Sequence, residues 1–227
     1  MADDPTADPT ARPELAALRR EYGDRGLAEA DAPPEPWPLW QQWFDEVAAA
    51  GVHEPNAMVV ASVDPDGAPS SRMVLLKQVT AAGPDEGFAF FTNISSRKGV
   101  ALAAEPRCAL LFPWHPVERQ VRIEGTARPL GPAEVAAYFA SRPRGAQLGA
   151  WASPQSQVVE GRAELDRRYA EVRERFGDGE VPVPPAWGGY RVRPEAFEFW
   201  QGRPGRMHDR LRYARTASGW ELTRLAP

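Results

Sequence analysis

A chain of 227 residues with 43% hydrophobic content can bury one substantial core, which predicts a single domain with helical additions. Its net charge of −4 provides no basic field to attract nucleic acid or an anionic membrane, and no apolar run approaches the roughly 18 residues of a membrane span. The single Cys108 excludes an internal disulfide, and the acidic, Pro/Ala-rich N-terminus lacks the basic and apolar regions of a signal peptide; both point to the cytoplasm.

Residues 1–11 are polar and Pro-containing without apolar periodicity, which predicts a disordered tail ahead of a domain over 12–227. "PELAALRREYG" reads as a short helix opened by Pro13 and stopped by Gly23. The Pro-rich "DAPPEPWP" reads as a linker. Trp40, Trp43, Phe44 and Val47 then recur at helical spacing, with Gly51 as the stop. The period changes in "AMVVASV", "SSRMVLLKQV" and "GFAFFT", three β-rich runs, the first two separated by the turn "DPDG". "SSRKGVALAAEP" predicts a helix capped by Ser95 or Ser96 and ended by Pro106.

"RCALLFPW" and "RQVRIEGTARPL" follow as strands, and "PAEVAAYFASR" and "AELDRRYAEVRERFG" as helices. After "VPVPPAWGG" come four short strands, "YRVRP", "AFEFWQG", "DRLRYAR" and "WELTRLAP", with a hairpin turn at "TASG". Many short strands with hairpin turns and a few helices predict a mainly β, α+β domain: an antiparallel barrel with helical decorations. A doubly wound parallel sheet does not fit, because strands and helices do not alternate.

Glycine-rich nucleotide loops and the G-x-S-x-G elbow are absent, and His53, His115 and His208 form no metal-type pair with Cys108. Any chemistry therefore points to an organic cofactor. Only two of the 27 basic residues are lysines, Lys77 and Lys98. Compositional bias alone accounts for a low lysine count, yet Lys98 follows Arg97 in the predicted first turn of a helix. Two cations there oppose the helix dipole, so an anion such as phosphate is the natural counterweight; the plainer alternative is a pair of solvated surface charges. Arg72 and Lys77 lie in the same β-β-β-α stretch. Five residues apart on a straight strand they would face opposite ways, so the strand must bulge or end between them, or the ligands must lie around its end. In "GRMHDR", Arg206, His208 and Arg210 alternate and would share one strand face, suited to an anion or simply exposed. Tyr138 and Arg142 sit one helical turn apart. Trp114, Trp151, Trp187 and Trp200 read as core residues sooner than as cofactor stackers.

These segments together resemble the pyridoxine/pyridoxamine 5′-phosphate oxidase family. The resemblance runs from about Leu18 to Pro227 through "LRREY", "EPNAMVVASVDPDGAPSSRMVLLK", "FFTNISSRKG", "LLFPWHPVERQVRIEG", "YFASRPRGAQLGAW", "QS", "GEVPVPPAWGGYRV", "EFWQG", "RMHDRLRY" and "RLAP". It implies an FMN-binding split β-barrel, homodimeric, with the flavin in clefts at the subunit interface. Carried over by motif, Arg72, Met73, Val74, Leu75, Leu76 and Lys77 line the flavin and its phosphate tail, continued by Phe91 and Thr92. Arg97 and Lys98 take the FMN phosphate. Gln120, Gln155, Ser156, Trp200 and Arg210 are further FMN contacts. Lys77, Tyr138 and Arg142 match the residues that hold the substrate phosphate. Arg206 and His208 match catalytic-site residues beside the substrate ring, and Arg19 and Tyr22 an N-terminal segment that closes over it.

One position departs from the family pattern: Ala146 stands in "RPRGAQ" where a serine is usual. One hydroxyl donor to the substrate phosphate is missing, which puts substrate identity in some doubt. The implied activity is oxidation of pyridoxine and pyridoxamine 5′-phosphates by dioxygen. Two rivals are an oxidase of the same fold acting on a phenazine-type metabolite and a non-catalytic carrier of flavin or pyridoxal phosphate.

Overall fold

The computed structural model describes residues 21–227. The tail predicted over 1–11, Arg19, and residues 13–20 of the first predicted helix lie outside the described residues; Glu21–Gly23 are not helical. The described residues form five α-helices and nine strands, every strand pairing being antiparallel.

Helix α1 (Pro36–Ala49) starts inside the predicted linker, because Pro36 and Pro38 fit a first turn whose N–H groups need no partner. Its stop is as expected, with Gly51 at φ 71°. The tryptophan face packs on the sheet. Trp37 stacks on Phe88 at 5.1 Å, Trp40 meets Phe88 edge-on at 5.2 Å, and Trp43 meets Phe199 edge-on at 5.3 Å. Truncating one such ring costs about 3–5 kcal/mol, so this face fixes α1 on the sheet.

Strands β1 (Ala57–Val63) and β2 (Pro69–Leu75) form the hairpin announced by "DPDG", with Gly67 at φ 86°. The run "SSRMVLLKQV" is not one strand. β2 stops at Leu75, Leu76 turns into the core at 6% exposure, and β3 (Gln78–Thr80) pairs instead with β4 (Gly87–Asn93). Asn56 grips Leu76 from both sides, its carbonyl accepting the Leu76 N–H at 2.9 Å and its Nδ2 donating to the Leu76 carbonyl at 3.1 Å.

Helix α2 (Arg97–Ala104) is followed by β5 (Arg107–Phe112), β6 (Arg119–Pro129) and α3 (Pro132–Ser141). Helix α4 (Arg144–Ala152) was not anticipated; Gly145 and Gly149 break its sequence pattern. Helix α5 (Arg162–Phe176) packs on α4 and buries none of its own residues fully.

The two strands expected in "YRVRP" and "AFEFWQG" are one, β7 (Trp187–Gln201). Pro194 is tolerated because the register with β6 slips there, Glu124 facing Ala196 and Gly125 facing Pro194, so Glu195 is the extra residue of a bulge. β7 pairs with β4 over its first half and with β8 (Asp209–Thr216) over its second, while β6 runs along its other edge. That change of neighbour splits the curled sheet into a split β-barrel. β9 (Gly219–Arg224) closes the last hairpin. The alternating strand face expected for Arg206, His208 and Arg210 is not formed. β8 begins only at Asp209, and Pro204–Arg206 make a tight turn with Gly205 at φ 62° and Arg206 at φ 64°.

No helix among the described residues is long and apolar enough to cross a membrane.

Candidate functional site

The end of β2 gives the answer to the spacing of Arg72 and Lys77. Because β2 stops at Leu75 and the cleft runs along the strand, taking in all of Arg72–Leu75, Arg72 and Lys77 both line one cleft of about 340 Å³ without sharing a strand face. The Lys77 N–H donates to the Ala89 carbonyl at 2.9 Å, which pins this turn to β4. Met73, Val74 and Leu75 from β2, Phe91 and Thr92 from β4, Lys98 from α2, Tyr138 from α3, Arg142 just past its C-terminus, and Gln155 complete the lining together with Trp187.

Lys98 is 9% exposed, yet its ammonium touches only neutral oxygens. Nζ donates to Gln155 Oε1 at 2.8 Å, Thr92 Oγ1 at 3.1 Å and Ser96 Oγ at 3.3 Å. Burial, and then the Arg72 guanidinium, push its pKa down. Ser96 occupies the N-cap position, but its hydroxyl donates to the Asn93 carbonyl at 2.6 Å and does not cap the helix. Gly99 is demanded by packing, since a Cβ there would lie 2.1 Å from the Ile94 carbonyl oxygen.

Arg97, its neighbour, is committed elsewhere. It binds Asp64 through Nε at 2.7 Å and through Nη2, and its side chain is 59% exposed. The Arg97 hydrogen bond holds the Asp64 carboxyl below the usual range. Arg72 is held by the Ser62 and Ser70 hydroxyls at 2.8 and 2.7 Å and by the Val60 carbonyl at 3.2 Å, and burial lowers its pKa.

Tyr138 stacks on Phe91 with ring centres 3.8 Å apart, and burial raises its phenol pKa. Ala146 lies in an adjoining hollow of about 230 Å³ that shares Arg142, Gln155 and Trp187 with the cleft. Ser156, beside Gln155, is exposed at φ 69°, and Leu76 belongs to the core.

The remaining expected residues gather apart from the cleft lining. Trp200 pairs with Gln120 across β6 and with Arg210 across β8. Its ring centre is 4.6 Å from that of His208 and 5.8 Å from that of Tyr22. Arg210 is tied to Glu198 at 2.9 Å and to the Ala226 carbonyl at 2.8 Å. His208 Nδ1 accepts the Arg203 N–H at 3.1 Å, which places the proton of the neutral ring on Nε2. Burial, and then Arg206, hold its pKa below the ordinary 6.5.

Trp187 was read from sequence as a core residue, yet it lines both the cleft and the hollow. The available signal was its position in "AWGG". A Cβ on Gly188 would lie 2.7 Å from Ile94 Cγ2 and one on Gly189 2.6 Å from the Phe90 carbonyl oxygen, so the start of β7 is pressed against both β4 and the segment that leads into α2.

Comparison with known proteins agrees with this architecture. Residues 44–176 match the family described as pyridoxamine 5′-phosphate oxidase, and residues 187–227 match the pyridoxine 5′-phosphate oxidase C-terminal dimerisation region. A pyridoxine/pyridoxamine 5′-phosphate oxidase of a Nocardioides species is 60% identical over 94% of this chain and 98% of its own length. One of Streptomyces avermitilis is 50% identical over 99% of this chain and 98% of its own. Among solved structures, PhzG from Burkholderia lata, in complex with tetrahydrophenazine-1-carboxylic acid, superposes with a TM-score of 0.82 at 32% identity, covering 90% of this chain and 99% of that one. A pyridoxamine 5′-phosphate oxidase-related, FMN-binding protein from Nostoc punctiforme shares the fold at a TM-score of 0.65 and 14% identity, covering 83% and 97% of the two chains. This chain belongs to the pyridoxine/pyridoxamine 5′-phosphate oxidase family.

Proposed function

We propose that the chain is an FMN-dependent oxidase that converts pyridoxine and pyridoxamine 5′-phosphates to pyridoxal 5′-phosphate, with dioxygen as acceptor and hydrogen peroxide as product. The observation that carries this reading is the charge of the cleft. Arg72, Lys77, Lys98 and Arg142 all line it, and no carboxylate does among the described residues. Lys98 is buried and Arg72 and Arg142 are half-buried, and cations withdrawn from water without acids are costly unless an anion completes them.

The residues fit FMN and a phosphorylated substrate. Lys98, Arg72 and Gln155 supply donors for the flavin phosphate, with Arg97 at the rim, and the strand Met73–Leu75 supplies an apolar wall. Lys77, Tyr138 and Arg142 supply donors for the substrate phosphate. Bound FMN would supply the two-electron acceptor for hydrogen leaving the C4′ carbon, dioxygen being reduced in turn to peroxide. Pyridoxine phosphate and dioxygen give the aldehyde and peroxide; the amine requires one water more and releases ammonia.

Arg206 and His208 would orient the substrate ring, with His208 donating from Nε2. Their group lies in the segment matching the family's dimerisation region. That supports a homodimer in which the cleft of one protomer is completed by Trp200, Arg206, His208 and Arg210 of its partner's copy.

Resemblance to PhzG, and the absence of a hydroxyl at Ala146, favour a second reading as an oxidase of a phenazine-type substrate. The four-cation cleft and the 50–60% identity to oxidases of the phosphorylated vitamers weigh against it. Purified protein tests both. A flavin absorption spectrum, and peroxide release with pyridoxine and pyridoxamine 5′-phosphates but not with their unphosphorylated forms, is expected. Flavin binding with no turnover of either phosphate would overturn the reading.

A further inference from the structure

We infer that Trp187 is a positioning residue that holds the Arg142 guanidinium ready for an anion in the cleft; this rests on the oxidase reading, in which a phosphorylated vitamer carries that anion. Arg142 sits at the C-terminal end of α3, where the backbone leaves the helix for an extended conformation. Its guanidinium carbon lies 4.0 Å from the centre of the Trp187 ring and 5.7 Å from that of Phe139. Nη1 is buried and has no hydrogen-bond partner among the described residues. Burial also lowers the Arg142 pKa, as expected for a cation taken from water without a carboxylate.

A carboxylate would have tied the guanidinium down through its N–H groups. An aromatic face attracts the cation through its π surface and leaves those in-plane donors for another partner. Trp187 is itself well fixed. Its backbone N–H donates to the Pro184 carbonyl at 2.9 Å, it pairs with Asn93 as the first residue of β7, and its ring meets Phe139 edge-on at 5.8 Å, while its indole Nε1, like Arg142 Nη1, is buried without a hydrogen-bond partner among the described residues. Arg142 and Trp187, with Gln155, also line both the cleft and the hollow beside Ala146, so the pair lies where the two adjoin.

The test is a double-mutant cycle on the FMN-loaded protein, using Trp187→Leu, Trp187→Phe and Arg142→Ala, read by equilibrium titration with pyridoxal 5′-phosphate and with pyridoxal. Trp187→Leu should weaken pyridoxal 5′-phosphate binding about tenfold, and Trp187→Phe, which keeps a ring face, by less than about threefold. Pyridoxal should respond to neither. In the Arg142→Ala background the same substitutions should add nothing. An equal loss in both backgrounds, or a loss shared by pyridoxal, would overturn the inference and leave Trp187 with a packing role. If the leucine variant does not fold, the phenylalanine cycle decides by the same criterion. An unmutated protein that binds no pyridoxal 5′-phosphate would instead bring down the oxidase reading, and this inference with it.

Discussion

Two arginine-rich regions of this molecule treat positive charge in opposite ways. Along the C-terminal strands, outside the residues proposed for the site, cations end on carboxylates: Arg215 on Glu86 at 2.7 Å, and Arg224 on Glu29 and Asp209, both at 2.6 Å. In the cleft, Lys98 ends on three neutral oxygens, Arg72 on two hydroxyls and a carbonyl, and Arg142 on aromatic faces. The first pattern neutralises charge within the chain and serves the fold. The second leaves Lys98 and Arg142 without a carboxylate partner, as the proposed ligand site requires, while Arg72 feels only the Asp64 that Arg97 already binds. The boundary between them falls inside "SSRKG", where Arg97 is paired with Asp64 and the adjacent Lys98 is not.

The comparison breaks most visibly at Glu86. This buried carboxylate accepts from Arg215 at 2.7 Å and from Trp37 Nε1 at 2.8 Å, joining β8 to α1. Glu86→Ala should destabilise the protein by about 3 kcal/mol, because it leaves a guanidinium and an indole donor without their partner. FMN affinity, measured on the fraction that remains folded, should be unchanged. A variant of normal stability that loses flavin would erase the distinction between the two regions.

Lys98→Met gives the opposite signature. With Lys98 holding the flavin phosphate as proposed, removing its ammonium should weaken FMN binding by roughly 1.5–3 kcal/mol, a factor of about 10 to 150. The ligand-free protein should be no less stable than the unmutated one, and more stable if the desolvated charge outweighs its three hydrogen bonds. Fluorescence titration with FMN and thermal unfolding of the apoprotein measure the two halves. Unchanged FMN affinity with a clear loss of apoprotein stability would make Lys98 a structural residue.

Which cations are free was not legible in the sequence. Residue type and a helix start were enough to single out Arg97 and Lys98 together, but the Asp64 that occupies Arg97 lies 33 positions away. Local chemistry was read well wherever it decides the outcome. Asp-Pro-Asp-Gly made the β1–β2 hairpin, and the tryptophan spacing made the buried face of α1. Tertiary context decided the rest. Leu76 breaks a continuous β-rich run because a buried position was available to it, and β7 passes through Pro194 because a bulge spares the proline a ladder hydrogen bond. Arg206, His208 and Arg210 alternate in sequence, yet Gly205 and Arg206 turn the chain before β8 can start. Their grouping with Trp200 and Tyr22 comes from packing across three segments.

The smallest expected effect concerns His208, where the comparison extends to a group that can change its charge. Nδ1 accepts the Arg203 N–H, so protonating the ring would require that donor to be given up. Burial and the nearby Arg206 oppose the charge further, and the pKa lies below 6.5. The sign follows. Well above 6.5 the ring is neutral in both folded and unfolded chains and contributes nothing to the pH dependence of stability. As pH falls through 6.5 the unfolded chain takes up the proton first, so the folded state loses stability until its own depressed pKa is passed. If the neutral ring donates from Nε2 to the substrate, any acid limb of turnover due to His208 falls below pH 6.5. Arg206→Gln removes one opposing charge, so it should raise the His208 pKa and move that limb upward, whatever it does to the rate. Titration of the histidine ring proton resonances by nuclear magnetic resonance, with His208 assigned by its loss in His208→Asn, measures the shift directly. A His208 that titrates above 6.5 in the unmutated protein would put a charged imidazolium in this group. It would then join the cations that need a partner, and the donor role assigned to its neutral ring would fall.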